Sequence, residues 1–254
     1  MSDVALTRHV PTMIGRDLRM SVRNVDGFIT AIALPVMLLL MFVYLFGGAI
    51  KTGTAYVDYV VPGVLLVCVG FGAATTAMSV ARDLESSIVD RFRSMDVRGE
   101  SWVAGHVVAS VTRNLFSTAL VFAVAFAIGF RPHADALDWL GALGVLCAFV
   151  VALSFLAAAI GTMASSSESA NGMSFAISFL AYPSSAFVPL STMPSWLRGF
   201  ARNQPETLVI DSIRDFLNGT SGGVVAWIAL LWSVGISLVS ITVGGIFYRR
   251  RTAG

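Results

Sequence analysis

Three histidines (His9, His106, His133), two cysteines (Cys68, Cys147) and one lysine (Lys51) are the side chains best suited to nucleophilic, metal or phosphate chemistry. None stands at a spacing that such chemistry needs. Cys68 and Cys147 lie inside apolar runs, where a thiol packs as a small hydrophobe, so neither a disulfide nor a metal site is expected. Serine–histidine proteolysis within a membrane needs the two residues on facing helices, yet His9 sits in a polar tail and His106 and His133 have no partner at ligand spacing. Both are expected to be solvated or interfacial. A phosphate-cradling loop needs glycine before its lysine, because backbone amides and the ammonium act together. Lys51 follows Ile50, so ATP hydrolysis is not encoded here. The 15 acidic residues fall outside the apolar runs, which leaves no carboxylate pair for a proton- or sodium-coupled carrier. The chain is expected to be no enzyme, with no catalytic residue and no metal of its own.

The elements that would carry these residues are long and apolar. Of 254 residues, 56% are hydrophobic and 13% charged, with mean hydropathy +0.78; a soluble domain carries about 25% charged residues. The net charge of +2 is too small to point to nucleic acid. A helix crosses about 30 Å of hydrocarbon with about 20 apolar residues. Five stretches meet this without a charge: 28–50, 59–81, 139–164, 170–190 and 224–248; a sixth, 103–130, contains Arg113. The expected fold is therefore an all-α integral membrane protein, a single transmembrane domain of six spans. Pro35, Pro62 and Pro183 fall within spans one, two and five and would shape them. The polar start, with its four arginines, has no apolar core of a signal peptide, so the first apolar run is expected to serve as an uncleaved anchor.

Basic residues set the orientation. Arg8, Arg16, Arg19 and Arg23, then Arg82, Arg91, Arg93 and Arg98, then Arg249, Arg250 and Arg251 share one side. The other side holds only Lys51, Arg131, Arg198, Arg202 and Arg214. Both termini are predicted to be cytoplasmic, in a bacterial inner membrane.

Three polar segments stand out. Residues 11–25 read as an amphipathic elbow helix, with Arg16, Arg19 and Arg23 opposite Met13, Met20 and Val25. In the cytoplasmic loop 82–98, Leu84, Ile88, Phe92 and Met95 form one narrow apolar stripe on a helix otherwise covered by Asp83, Glu85, Asp90, Arg91 and Arg93. Such a stripe suits a partner's groove or packing on the bundle. Outside, 194–218 should form short helices opened by Pro194 and Pro205 and closed by Gly219, with apolar faces down on the bundle. Arg113 and Asn114 are the strongly polar pair closest to the hydrocarbon. An arginine there either snorkels to the cytoplasmic interface or pairs inside the bundle.

These segments together resemble the permease subunit of type-2 ABC exporters, in the daunorubicin-resistance-like bacterial branch. The resemblance runs through Tyr44-Leu45-Phe46-Gly47-Gly48, Pro62-Gly63, Asp83 and Asp90-Arg91-Phe92-Arg93-Ser94-Met95. It continues in Phe187-Val188-Pro189, Met193-Pro194-Ser195-Trp196-Leu197, Asn203-Gln204-Pro205 and Asp211-Ser212-Ile213-Arg214. One departure is Asp96, where the family usually has proline. The resemblance implies two six-span permeases, identical or not, with two separate ATPase subunits that hold ATP and Mg. The loop helix would be the coupling helix, carrying Leu84, Ile88, Asp90, Arg91, Phe92, Arg93 and Met95, and the outer helices would be re-entrant.

Because five spans are uncharged, the pathway suits hydrophobic or amphipathic compounds, with Phe71, Met78, Phe175, Phe179 and Tyr182 on spans two and five as candidate lining. Two alternatives stay open: export of a polysaccharide or lipid-linked glycan, and a non-transporting membrane assembly subunit.

Overall fold

The computed structural model describes residues 15, 25–50, 52–86, 99–220 and 222–252. Most of the expected elbow helix over 11–25, and the coupling residues Ile88, Asp90, Arg91, Phe92, Arg93 and Met95, lie outside the described residues.

Among the described residues the fold is all helical, without a strand. In chain order α1 is Val25–Met41, continued by a π turn at Phe42–Phe46, and α2 is Tyr56–Glu85. Then come α3 (Gly99–Ala127), α4 (Ala136–Met163), α5 (Ser167–Ser178), α6 (Ser195–Asn203), α7 (Pro205–Leu217) and α8 (Gly223–Thr252). Four of these, α2, α3, α4 and α8, are long and apolar enough to cross a bilayer. Local chemistry marks several boundaries. Asp135 caps α4, its Oδ1 accepting from the Leu137 and Asp138 amides at 2.8 Å each, while Asp138 accepts from the Asp135 amide at 3.4 Å. Ser166 caps α5 through the Ser169 amide at 3.1 Å. Arg249, Arg250 and Arg251 fill the last turn of α8, where the helix dipole favours cations.

The fifth apolar stretch, 170–190, is not one continuous helix. α5 ends at Ser178, a 3-10 turn covers Phe179–Ala181, and residues 182–188 run as turns and bends. Pro183 supplies no backbone donor. Ser184 donates its hydroxyl to the Ala181 carbonyl and accepts from the Ala186 amide at 3.1 Å, so side-chain bonds replace the helix ladder.

α2 is the centre. Val60, Val61, Val64 and Leu65 on it are fully buried, and its neighbours include α1, α3, α4, α5 and α7. Two close approaches need glycine. A Cβ at Gly63 would overlap the Ala186 backbone, and one at Gly72 would overlap the Asn114 amide. The long-range bonds sort the loops to two ends. At one end Asp58 accepts from the Arg131 amide at 3.1 Å and His133 N–H bonds Leu217 at 2.9 Å. At the other, Glu85 accepts from the Ser167 amide at 3.3 Å and Arg251 donates to the Ala164 carbonyl at 2.6 Å.

Candidate functional site

Three polar clusters and one aromatic row follow from this packing. The first cluster lies at the end that carries the loop 87–98. Asp83, near the close of α2, accepts from Trp102 Nε1 at 3.1 Å and bonds His106 Nε2 at 3.2 Å, both through Oδ2. All three side chains are buried, Asp83 to 5% exposure. Two sequence expectations are corrected here. His106 is not solvated, and Asp83 does not lie on the outer polar face of a coupling helix; a buried carboxylate is tolerated because donors converge on it. Leu84, on the same turn, packs against the small core formed by Val80, Trp102, Val107 and Ala158. His133 is exposed, as expected.

The second cluster crosses the bundle at mid-height. Arg113 on α3 turns towards α2, donating to the Gly72 carbonyl at 2.9 Å and to Thr76 Oγ1 at 2.6 Å. It pairs inside the bundle and does not snorkel. Asn114 is buried beside it and donates to Ser110 Oγ at 3.4 Å; Ser154 on α4 donates to the same oxygen at 2.9 Å. The sequence placed Arg113 and Asn114 together, and both do face α2. They use different partners.

The third cluster, at the opposite end, holds the broken part of the fifth stretch. Its carbonyls have lost helical donors and are served by side chains. Gln204 Nε2 donates to Leu180 at 3.0 Å and to Pro183 at 2.8 Å. Arg214 Nη2 donates to Ser185 at 2.9 Å, and Tyr56 OH to Phe187 at 3.0 Å. Carbonyls of irregular backbone that are shielded from water need this kind of service. Glu206 lies on the buried face of α7 with Val209, Ile210, Ile213 and Leu217. Burial pushes its carboxyl from 4.5 up to about 8, and its Oε2 meets no hydrogen-bond partner among the described residues. Burial also raises Asp215, helped by the charge of Asp211 and opposed by Arg214.

The aromatic row runs along α5 and across to α1. Ring centroids step from Phe175 to Phe179 (5.1 Å), Tyr182 (5.2 Å), Phe187 (5.6 Å) and Phe42 (4.2 Å, stacked). Phe175, Phe179 and Tyr182 are exposed. Phe71 and Met78 are half-buried on α2, and Phe71 packs against the main core. Phe42 and Phe187 escaped the sequence reading because they join the row only through the turn after α5.

Residues 8–218 match the ABC-2 type transporter family. The chain belongs to that family. It is 30% identical over 227 residues, 89% of its length and 80% of the relative's, to the daunorubicin resistance ABC transporter permease protein DrrB1 of Streptomyces coeruleorubidus. It is 23% identical over 232 residues, 90% of its length and 83% of the relative's, to the probable doxorubicin resistance ABC transporter permease protein DrrC of Mycobacterium tuberculosis. In this ABC-2 permease, the motif Asn203-Gln204-Pro205 and the stretch Asp211–Arg214 supply the side chains that hold the broken fifth stretch. Asp83, Trp102 and His106 frame the loop on which the family resemblance puts coupling.

Proposed function

We propose that this ABC-2 permease is the membrane half of an ATP-driven exporter for hydrophobic or amphipathic compounds. Six spans with both termini in the cytoplasm, a second permease copy or relative, and a separate ATPase subunit holding ATP and Mg complete the assembly. The coupling segment 82–98 docks on that ATPase through Ile88, Phe92 and Met95 of its stripe, with Asp83 turned into the bundle, and closure of the ATPase drives the switch from inward- to outward-facing.

The observation that carries the substrate class is the exposed row Phe175–Phe179–Tyr182, extended by Phe187 and Phe42. Aromatic faces at offset angles accept flat apolar bodies loosely, and no charged side chain interrupts the row. The names of the two relatives, daunorubicin and doxorubicin resistance permeases, support the same class. Compounds would enter from the inner leaflet or the cytoplasm.

Co-reconstituted with its ATPase subunit in liposomes, the permease should show hydrolysis stimulated by apolar and amphipathic compounds and should accumulate them in the lumen of inside-out vesicles. Stimulation by a glycan alone would shift the reading to polysaccharide or lipid-linked glycan export. Stable complex formation without any transport would make the chain an assembly subunit.

A further inference from the structure

The end of α2 and the start of α3 are the two stems that flank residues 87–98 in the chain, and one carboxylate joins them. Trp102 and His106 are four residues apart, so they share one helix face. Asp83 bonds both. Indole nitrogen is a donor only, and Trp102 is exposed to just 1%, so its N–H depends on that oxygen. The bonds are buried and converge on a single atom, an arrangement that resists separate movement of the two stems.

The cluster also has onward connections. Trp102 stacks on Tyr248 near the end of α8, with centroids 5.6 Å apart, and meets the His106 ring edge-on at 5.1 Å. Two residues beyond Asp83, Glu85 accepts from the Ser167 amide, the first residue of α5. Arg251, three residues after Tyr248, holds the Ala164 carbonyl in the turn before α5. α5 is short, and it carries Phe175 at mid-length and leads into Phe179 and Tyr182.

We propose that Asp83, Trp102 and His106 form a transmission clamp. It makes the two stems of the coupling segment move as one body and passes that movement, through Glu85–Ser167 and Trp102–Tyr248, to α5 and α8. These are positioning residues: they touch neither nucleotide nor exported compound. The inference rests on the exporter reading given above.

Asp83→Ala, Trp102→Phe and Asp83→Asn test it in the reconstituted complex with the ATPase subunit. The Ala and Phe variants should bind the ATPase subunit and hydrolyse ATP basally as wild type does, while compound transported per ATP falls about three- to tenfold, the range of mutations along a coupled network. Asp83→Asn keeps an oxygen where both donors point, and should recover most of the ratio. Spin labels at Ser86 and Gly99 should report one narrow distance in wild type and a broad distribution in Asp83→Ala, which a purely packing role for the carboxylate would leave narrow. Wild-type transport per ATP in both truncating variants overturns the clamp, as does a narrow distance in Asp83→Ala. Loss of ATPase-subunit binding overturns it too, making the cluster part of the docking surface. If Asp83→Ala does not fold, Trp102→Phe, which keeps an aromatic ring but removes the N–H together with part of the buried indole, carries the test, with Asp83→Asn as the control that leaves the core volume unchanged. A wild-type complex without compound-stimulated hydrolysis would instead sink the exporter reading, and the spin-label distances then decide the clamp alone.

Discussion

The guanidinium of Arg214 lies 4.0 Å from the centroid of the Tyr59 ring and donates to the Tyr59 backbone carbonyl at 3.1 Å. The same group donates to Asp211 Oδ1 at 2.7 Å and to the Ser185 carbonyl at 2.9 Å. One planar cation thus joins α2, α7 and the turn after α5. Only a fork of donors in one plane can stack on a ring and serve three acceptors together.

Arg214→Lys should therefore behave as a loss. An ammonium can keep the Asp211 contact but cannot reach both carbonyls in the same geometry. The expected cost is about 1–3 kcal/mol, measured as thermal unfolding in detergent, with faster proteolysis in the 182–189 turn. Unchanged melting would mean that the cation–ring contact and the carbonyl bonds contribute nothing net.

Gly72 and Asn114 form a matched pair, since a Cβ at residue 72 would run into the Asn114 amide. Gly72→Ala should destabilise by about 1–3 kcal/mol, as overpacking does. Adding Asn114→Ala opens the space, so the double variant should be less destabilised than the sum of the singles by about 1 kcal/mol. Additive effects would place the clash elsewhere.

Glu206 sets a pH dependence. Its folded carboxyl titrates at about 8 against 4.5 in an unfolded chain, because burial disfavours the charged form. Between these values the folded state binds more protons, so this group's contribution is complete below about 4.5 and is lost as pH rises through about 8. Glu206→Gln fixes the neutral form. It should match wild type near pH 4.5 and exceed it by about 1–3 kcal/mol near pH 9, read as melting temperature across that range. A constant gap between the two proteins at all pH values would contradict the burial account.

Orientation is open to direct labelling. In a background lacking Cys68 and Cys147, single cysteines at positions 7 and 252 should resist an impermeant thiol reagent in intact cells, and one at position 221 should react. Labelling of either terminus from outside would reverse the proposed topology.

Phe92, on the apolar stripe of the coupling segment, should act as an anchor for the ATPase subunit. Phe92→Ala should weaken that complex by about 1–3 kcal/mol, as truncation of an interface anchor does, with membrane insertion unchanged. Full binding and full compound-stimulated hydrolysis in the variant would remove the stripe from the docking surface.

Part of the candidate site was legible in the residues. Phe175, Phe179 and Tyr182 recur at helical spacing, so they could be placed on one face, whereas Trp102 carried no signal of its own and His106 was expected to be solvated or interfacial. Their partners were not legible. Phe42 joins the row through Phe187, and Asp83 reaches Trp102 and His106 across sequence separations of 19 and 23 residues. Arg113 shows the same limit. Its place near the hydrocarbon was evident, but the choice between snorkelling and pairing depended on Gly72 and Thr76 lying opposite.

What the residues determined alone is the membrane character, the helical class, the approximate extent of most apolar segments and the clustering of arginines in particular loops. These follow from hydropathy, which adds residue by residue, and from the need of backbone in hydrocarbon to bond to itself locally. Only the tertiary structure decided that α2 is the buried centre while α8 lies at the outside, although both are apolar on all sides. In lipid an apolar face has no strong reason to be covered, so close shape fits such as Gly63 on Ala186, and bonds between distant residues, choose which helix goes inside. The break after Ser178 was settled the same way. Pro183 permits it, but the donors Gln204, at the junction of α6 and α7, and Arg214, on α7, are what hold it open.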